Sequence, residues 1–100
     1  MSDLPTLSAR LNNAFGDLWE LYIVTDGPTA DWPEHLFNRT MPVPTLDERV
    51  QALAALGFER ATGAEWEWQE LPSGPTDRVR LLGAVDVRPV GVRNETPRAA

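Results

Sequence analysis

The sequence predicts an α+β domain in ββαββ order, with one helix on one face of an antiparallel sheet of at least four strands. Two observations carry this expectation. Thr45 to Phe58, TLDERVQALAALGF, holds a start signal, an apolar stripe and a stop signal for a helix within fourteen residues. On either side of it, apolar and polar residues alternate with the period of two that a half-buried strand requires. A helix with one apolar face needs something flat to cover, and the flanking strands supply it.

Along the chain, Leu7, Ala9 and Leu11 alternate with Ser8, Arg10 and Asn12, and Asn13 to Asp17 supplies turn residues around Gly16. Leu18 to Thr25, LWELYIVT, is the strongest strand, rich in aromatic and β-branched residues. Trp19, Leu21 and Ile23 share one face, and Leu18, Tyr22 and Val24 share the other with Glu20. Both faces are largely apolar, which predicts a central or doubly covered strand. The two segments form an N-terminal hairpin. Asp26 to Pro44 then spends nineteen residues, four of them proline, before the helix. A link this long is uncommon in a compact domain. Trp32, Leu36, Phe37 and Met41 make it too apolar to run free. It is expected to wrap over the sheet, with His35 to Arg39 as a short extra edge strand.

In the helix, Thr45 and Glu48 have capping-box spacing. Leu46, Val50, Leu53, Ala54 and Leu56 form the expected apolar stripe, leaving Asp47, Glu48, Arg49 and Gln51 outward. Gly57 can take the left-handed conformation that ends a helix, and Phe58 follows as its hydrophobic clasp. Glu59 to Gly63 reads as a connector. Ala64 to Leu71 then sets Trp66 and Trp68 against Glu65, Glu67 and Gln69 on opposite faces. PSGPTD, Pro72 to Asp77, is a turn. Arg78 to Val87 places Val79, Leu81, Gly83, Val85 and Val87 on one face. This second hairpin is expected to set glutamates against arginines on its solvent face. Its two tryptophans are the expected floor for the helix. Met1 to Leu4 and Val90 to Ala100 read as flexible tails around one domain ordered over about residues 5–89.

One hundred residues with 42 % hydrophobic content and four tryptophans can fill a core without staples. No cysteine is present, which removes disulfides, thiolate metal sites and a cysteine nucleophile. Neither a signal-peptide pattern nor an apolar run of membrane-spanning length occurs, so a soluble, cytoplasmic protein without membrane partners is expected. All nine basic residues are arginine. Without lysine there is no Schiff-base chemistry and no phosphate-loop lysine. Residues 1–77 carry four arginines against thirteen acids, whereas residues 78–100 carry five arginines against two. An acidic body of net -9 repels phosphates, which argues against direct nucleic-acid binding.

The places where chemistry might reside each have a plainer reading. His35, the one histidine, has Glu34 beside it in sequence, but adjacent strand residues point to opposite faces, so no oriented base is formed. Asp26, Asp31 and Glu34 show no repeated metal-ligand spacing. Glu65 and Glu67 lie about 7 Å apart on one strand face, as paired catalytic carboxylates can, yet a solvated surface explains them better. Trp66 and Trp68 resemble a base-stacking platform, but glutamates flank them where basic residues belong. Glycine-rich phosphate loops, nucleophile elbows and zinc signatures are absent.

PVPTLDERVQALAALGFE followed by GAEWEWQE, with WELYIV and WPEHLF upstream, resembles a family of small uncharacterised proteins from actinomycetes, over about Trp19 to Pro89. The resemblance implies a GC-rich bacterial, cytoplasmic origin. It implies no activity and assigns no site residue. The expected function is therefore a non-enzymatic interaction or accessory module without cofactor or metal. Its partner would be another protein or a second copy in a homodimer, and its candidate surface is Tyr22, Trp32, His35, Phe37, Glu65 and Glu67. One alternative is an acidic mimic of nucleic acid that occupies a DNA- or RNA-binding site on another protein. Another is a small enzyme or ligand-binding protein that uses the 26–44 segment.

Overall fold

The computed structural model describes residues 6–14, 17–72 and 79–90. Both expected tails save Val90, Gly16 of the first turn and most of the PSGPTD turn lie outside the described residues. The strands are β1 (Leu7–Asn12), β2 (Glu20–Val24), β3 (Glu34–Leu36), β4 (Phe58–Arg60), β5 (Glu67–Leu71) and β6 (Arg80–Pro89), and the helix is α1 (Leu46–Ala55). The architecture is the expected one, α+β with a single helix among the described residues and an antiparallel sheet, here of six strands. Strand order is β3-β2-β1-β6. The far side of β6 pairs with β4 along its C-terminal half and with β5 along its N-terminal half.

Period two decides which residues meet. Ala9 opposes Ile23 and Val85, Leu11 opposes Leu21 and Gly83, and Leu7 opposes Val87, so one face of the sheet is apolar across three strands. This face, with Trp19 from below β2 and Ala52 and Leu53 from α1, makes the core. Among the described residues, Asn12 and Asn13 are the buried polar ones. Asn13 donates to the Val79 carbonyl and accepts from the Leu81 N–H, which clips the end of β1 to the start of β6. Asn12 donates to the Tyr22 hydroxyl.

The long link is fastened by Trp19. Its backbone N–H donates to the Arg39 carbonyl, its indole N–H donates to the Thr40 carbonyl, and its own carbonyl accepts from Phe37. The link contains a single 3-10 turn, Thr29–Asp31, and one edge strand. That strand is Glu34–Leu36 and not His35–Arg39, because Asn38 at φ 55° turns the chain out of extended geometry. The expected connector after the helix is also partly strand, since Phe58–Arg60 pairs with β6.

α1 has its predicted ends. Thr45 accepts from the Glu48 N–H and Glu48 accepts from the Thr45 N–H, completing the capping box, and Gly57 sits at φ 91° beyond the last turn. Its rotation differs from expectation. Leu46 and Val50 are each 45 % exposed and Ala54 is also outward, while Ala52 and Leu53 are buried and Arg49 is half-buried. Two side chains set this rotation. Glu48 is gripped by Arg39 through paired hydrogen bonds of 2.9 and 2.6 Å, and Arg49 lies on the Trp66 and Trp68 rings. Between these anchors Ala52 and Leu53 are the helix residues that enter the core.

The second hairpin forms, with a register that overturns its expected salt-bridge face. Glu67 opposes Ala84, Gln69 opposes Leu82 and Arg80 opposes Leu71, so the one β5 glutamate on that face meets no arginine, while Arg78 lies outside the described residues. Among the described residues, Arg88 and Glu59 form a cross-strand ion pair, 2.8 Å apart on β6 and β4. The tryptophans do face the helix side. They line the margin of the core and not its floor, with Trp66 half-buried and Trp68 41 % exposed.

Candidate interaction surface

Because α1 covers one face of the sheet, the side chains of opposite parity share the other: Tyr22 and Val24 from β2, Arg10 from β1, Leu82 and Ala84 from β6, with Leu36 of β3 52 % exposed. Tyr22 opposes Glu34 across the β2–β3 ladder, and Glu20, two residues earlier, points the same way. The link brings Trp32 back over this edge. Its ring stacks on Tyr22 with centroids 5.9 Å apart and planes 11° from parallel. The Trp32 indole N–H donates to the Gly27 carbonyl, and the Ile23 N–H donates to the Pro33 carbonyl, so the loop that carries the ring is tied at both ends.

Glu20, Tyr22, Thr29, Trp32 and Glu34 together line a cavity of about 190 Å³. Partial burial raises the pKa of Glu20 above its ordinary value, and the nearby Glu34 carboxylate raises it further. Among the described residues neither glutamate takes part in an ion pair. The site offers two π faces and two uncompensated carboxylates.

The other candidate residues lie elsewhere. His35 opposes Leu21 on the helix side, where its ring meets Phe37 edge-on at 4.8 Å, beside Glu48, Gln51 and Ala52. Glu34 points to the opposite face, as adjacent strand residues must, and the nearest carboxylate on the His35 side, Glu48, is already held by Arg39. Glu65 and Glu67 line a separate cavity of about 350 Å³ with Asp86. No group of three or more His or acidic side chains that could hold a metal ion occurs among the described residues. The six candidate residues thus divide into three places: Tyr22 with Trp32, His35 with Phe37, and Glu65 with Glu67.

The two acidic clusters of the open face, Glu20 with Glu34 and Glu65 with Glu67 and Asp86, do not join into one stripe. One row across the sheet reads Glu34, Tyr22, Arg10, Ala84, Glu67, which puts an arginine midway between the two acidic ends.

Two features escaped sequence reasoning. Arg49 is read outward by the helical pattern yet covers the tryptophan pair at 4.9 and 5.3 Å. Gly83 lies directly under Trp68, whose ring would stand 2.9 Å from a Cβ placed there. A lone glycine inside a strand was the available signal for such a close approach.

Fold and surface together define a small α+β protein that gathers aromatic and acidic side chains on the uncovered face of an antiparallel sheet. The chain belongs to DUF6303, a family of unknown function, with residues 5–94 matched. No curated protein and no solved structure matches it. No helix among the described residues is long and apolar enough to cross a membrane.

Proposed function

We propose that this protein is a non-catalytic interaction module whose recognition surface is the open sheet face, centred on the Tyr22–Trp32 edge. The observation that carries the reading is the stacked aromatic pair, tied in place beside two unpaired carboxylates and next to exposed Leu36. Half-buried aromatics in fixed positions suit binding, because little side-chain entropy remains to be lost when a partner docks. Catalysis would need a base and a nucleophile in reach of one another. His35, Glu34 and the Glu65–Glu67 pair, the groups best suited to such roles, face three separate regions. The mimic of nucleic acid is the weaker reading, since Arg10 interrupts its acidic row.

Affinity capture from a lysate of the native host tests the surface. The full chain should retain a partner that Tyr22→Ser and Leu36→Ser lose and that Leu46→Ser, on the exposed edge of α1, keeps. Loss with Leu46→Ser alone would move the surface to the helix and overturn the reading. Sedimentation of the same variants shows whether the partner is a second copy.

A further inference from the structure

We propose that the Tyr22–Trp32 cavity is an arginine-binding site, accepting the guanidinium of an exposed arginine on a separate partner protein, flat against the rings and flanked by Glu20 and Glu34. The inference deepens the open-face reading and rests on it.

Complementary chemistry is the first support. A guanidinium is planar, stacks on aromatic faces and donates from its edges to carboxylates. Glu20 and Glu34 are diagonal neighbours on adjacent strands, about 7–8 Å apart at the backbone, so they can bracket a planar cation from two sides. The cavity of about 190 Å³ has room for the end of one long side chain. It falls short of the roughly 300 Å³ at which pockets for larger small molecules begin.

The molecule itself supplies the second support, because it uses arginine on aromatic rings twice. Arg39 stands 5.9 Å from the Phe37 ring centroid and is also clasped by Glu48, so ring, cation and carboxylate are all present. Arg49 covers Trp66 and Trp68 and, among the described residues, forms no ion pair. The Tyr22–Trp32 site has rings and two carboxylates outside any ion pair, and Arg10, which opposes Tyr22 from β1, donates instead to the Ser8 hydroxyl. A net charge of -6 draws a basic segment toward the surface and repels an acidic one.

An NMR titration of the full chain tests the assignment with N-acetyl-arginine amide, the lysine analogue and the isosteric but neutral citrulline analogue. The arginine probe should shift the Trp32 indole N–H and the Tyr22 and Glu34 amides saturably. The lysine probe should bind about fivefold more weakly, and the citrulline probe should leave these signals in place. Glu34→Gln, an exposed change that leaves the stack intact, should weaken the arginine probe about tenfold. Equal responses to arginine and citrulline, equal affinity for arginine and lysine, or shifts centred on Glu65, Glu67 and Asp86 would each overturn it. Self-association abolished by Glu34→Gln would assign the site to a second copy and overturn the separate partner. If the arginine probe fails while Tyr22→Ser still abolishes capture, the guanidinium assignment falls and the open-face reading stands.

Discussion

The two stacked aromatic pairs sit at opposite edges of the same sheet and are finished in opposite ways. Trp66 and Trp68, centroids 6.1 Å apart, face the helix and are capped by the chain's own Arg49. Tyr22 and Trp32, 5.9 Å apart, face away from the helix and are bordered by two glutamates. The first pair is closed by a local cation at some cost. Burial and the charge of nearby Arg60 both lower the Arg49 pKa, and its Nη1 and the Trp66 indole nitrogen are buried without a hydrogen-bond partner. The second pair holds Glu20 and Glu34 together, neither of them in an ion pair among the described residues. One arrangement spends polar satisfaction on packing, and the other keeps unbalanced charge at the surface, where a ligand can use it. That difference is why we propose the second pair, and not the first, as the binding site.

The largest expected effect breaks the closed pair. Gly83→Ala would place a methyl 2.9 Å from the Trp68 ring, so the ring must lift off β6 and leave Arg49. Overpacking of this kind costs about 1–3 kcal/mol, read from urea unfolding. Adding Trp68→Ala removes the clash, so the double variant should lose less than the two single losses combined. Next, Arg49→Ala should cost about 1–2 kcal/mol through lost cation–π contact and lost stem packing. Arg49→Met keeps the stem and removes the unpaired donor, so it should fall within about 0.5 kcal/mol of the native chain. If methionine costs as much as alanine, the stem contributes nothing and the lost cation alone accounts for the deficit.

The paired carboxylate of Arg39 provides the acid-side contrast. Arg39, foremost, and the Thr45 cap hold Glu48 down to about 2 from an ordinary 4.5. A depressed folded pKa means stability that is fully present above 4.5 and lost as pH falls from there toward 2. Glu48→Gln should therefore lower the melting temperature at neutral pH. Its deficit against the native chain should close across that acid window, as followed by circular dichroism. A constant deficit down to the lowest pH would mean that the charge contributes nothing.

How much of this was legible follows from the range of each signal. The capping box, Gly57 and the alternation of β1 and β6 are local chemistry, and each stands where the sequence places it. The pairing of β1 with β6 joins the two ends of the chain and leaves no local trace. The rotation of α1 depends on Arg39 and on tryptophans from other elements, so an apolar stripe misjudges it. The β5–β6 register decides whether Glu67 meets an arginine, and alternation fixes its face without fixing its partner. Tyr22 and Trp32 were both recognisable as candidates. Their meeting was not, because it depends on how nineteen proline-rich residues return to the sheet edge.

The smallest expected effect is the sharpest for the open pair. Burial, and then Glu34, raise the pKa of Glu20. A carboxyl with a raised folded pKa favours folding most below its ordinary value of 4.5, and that advantage fades as pH climbs through the folded value. At neutral pH the two carboxylates oppose folding slightly. Glu34→Gln relieves the repulsion while keeping the shape, so it should leave stability unchanged or raised by less than about 0.5 kcal/mol, the usual span of surface changes. NMR titration of the Glu20 side chain should show its pKa moving back toward 4.5 in the same variant. A binding site commonly keeps such strained charge at a small cost in stability. A clear loss of stability with Glu34→Gln would mean that this carboxylate already has a partner within the chain, and the contrast between the two pairs would disappear.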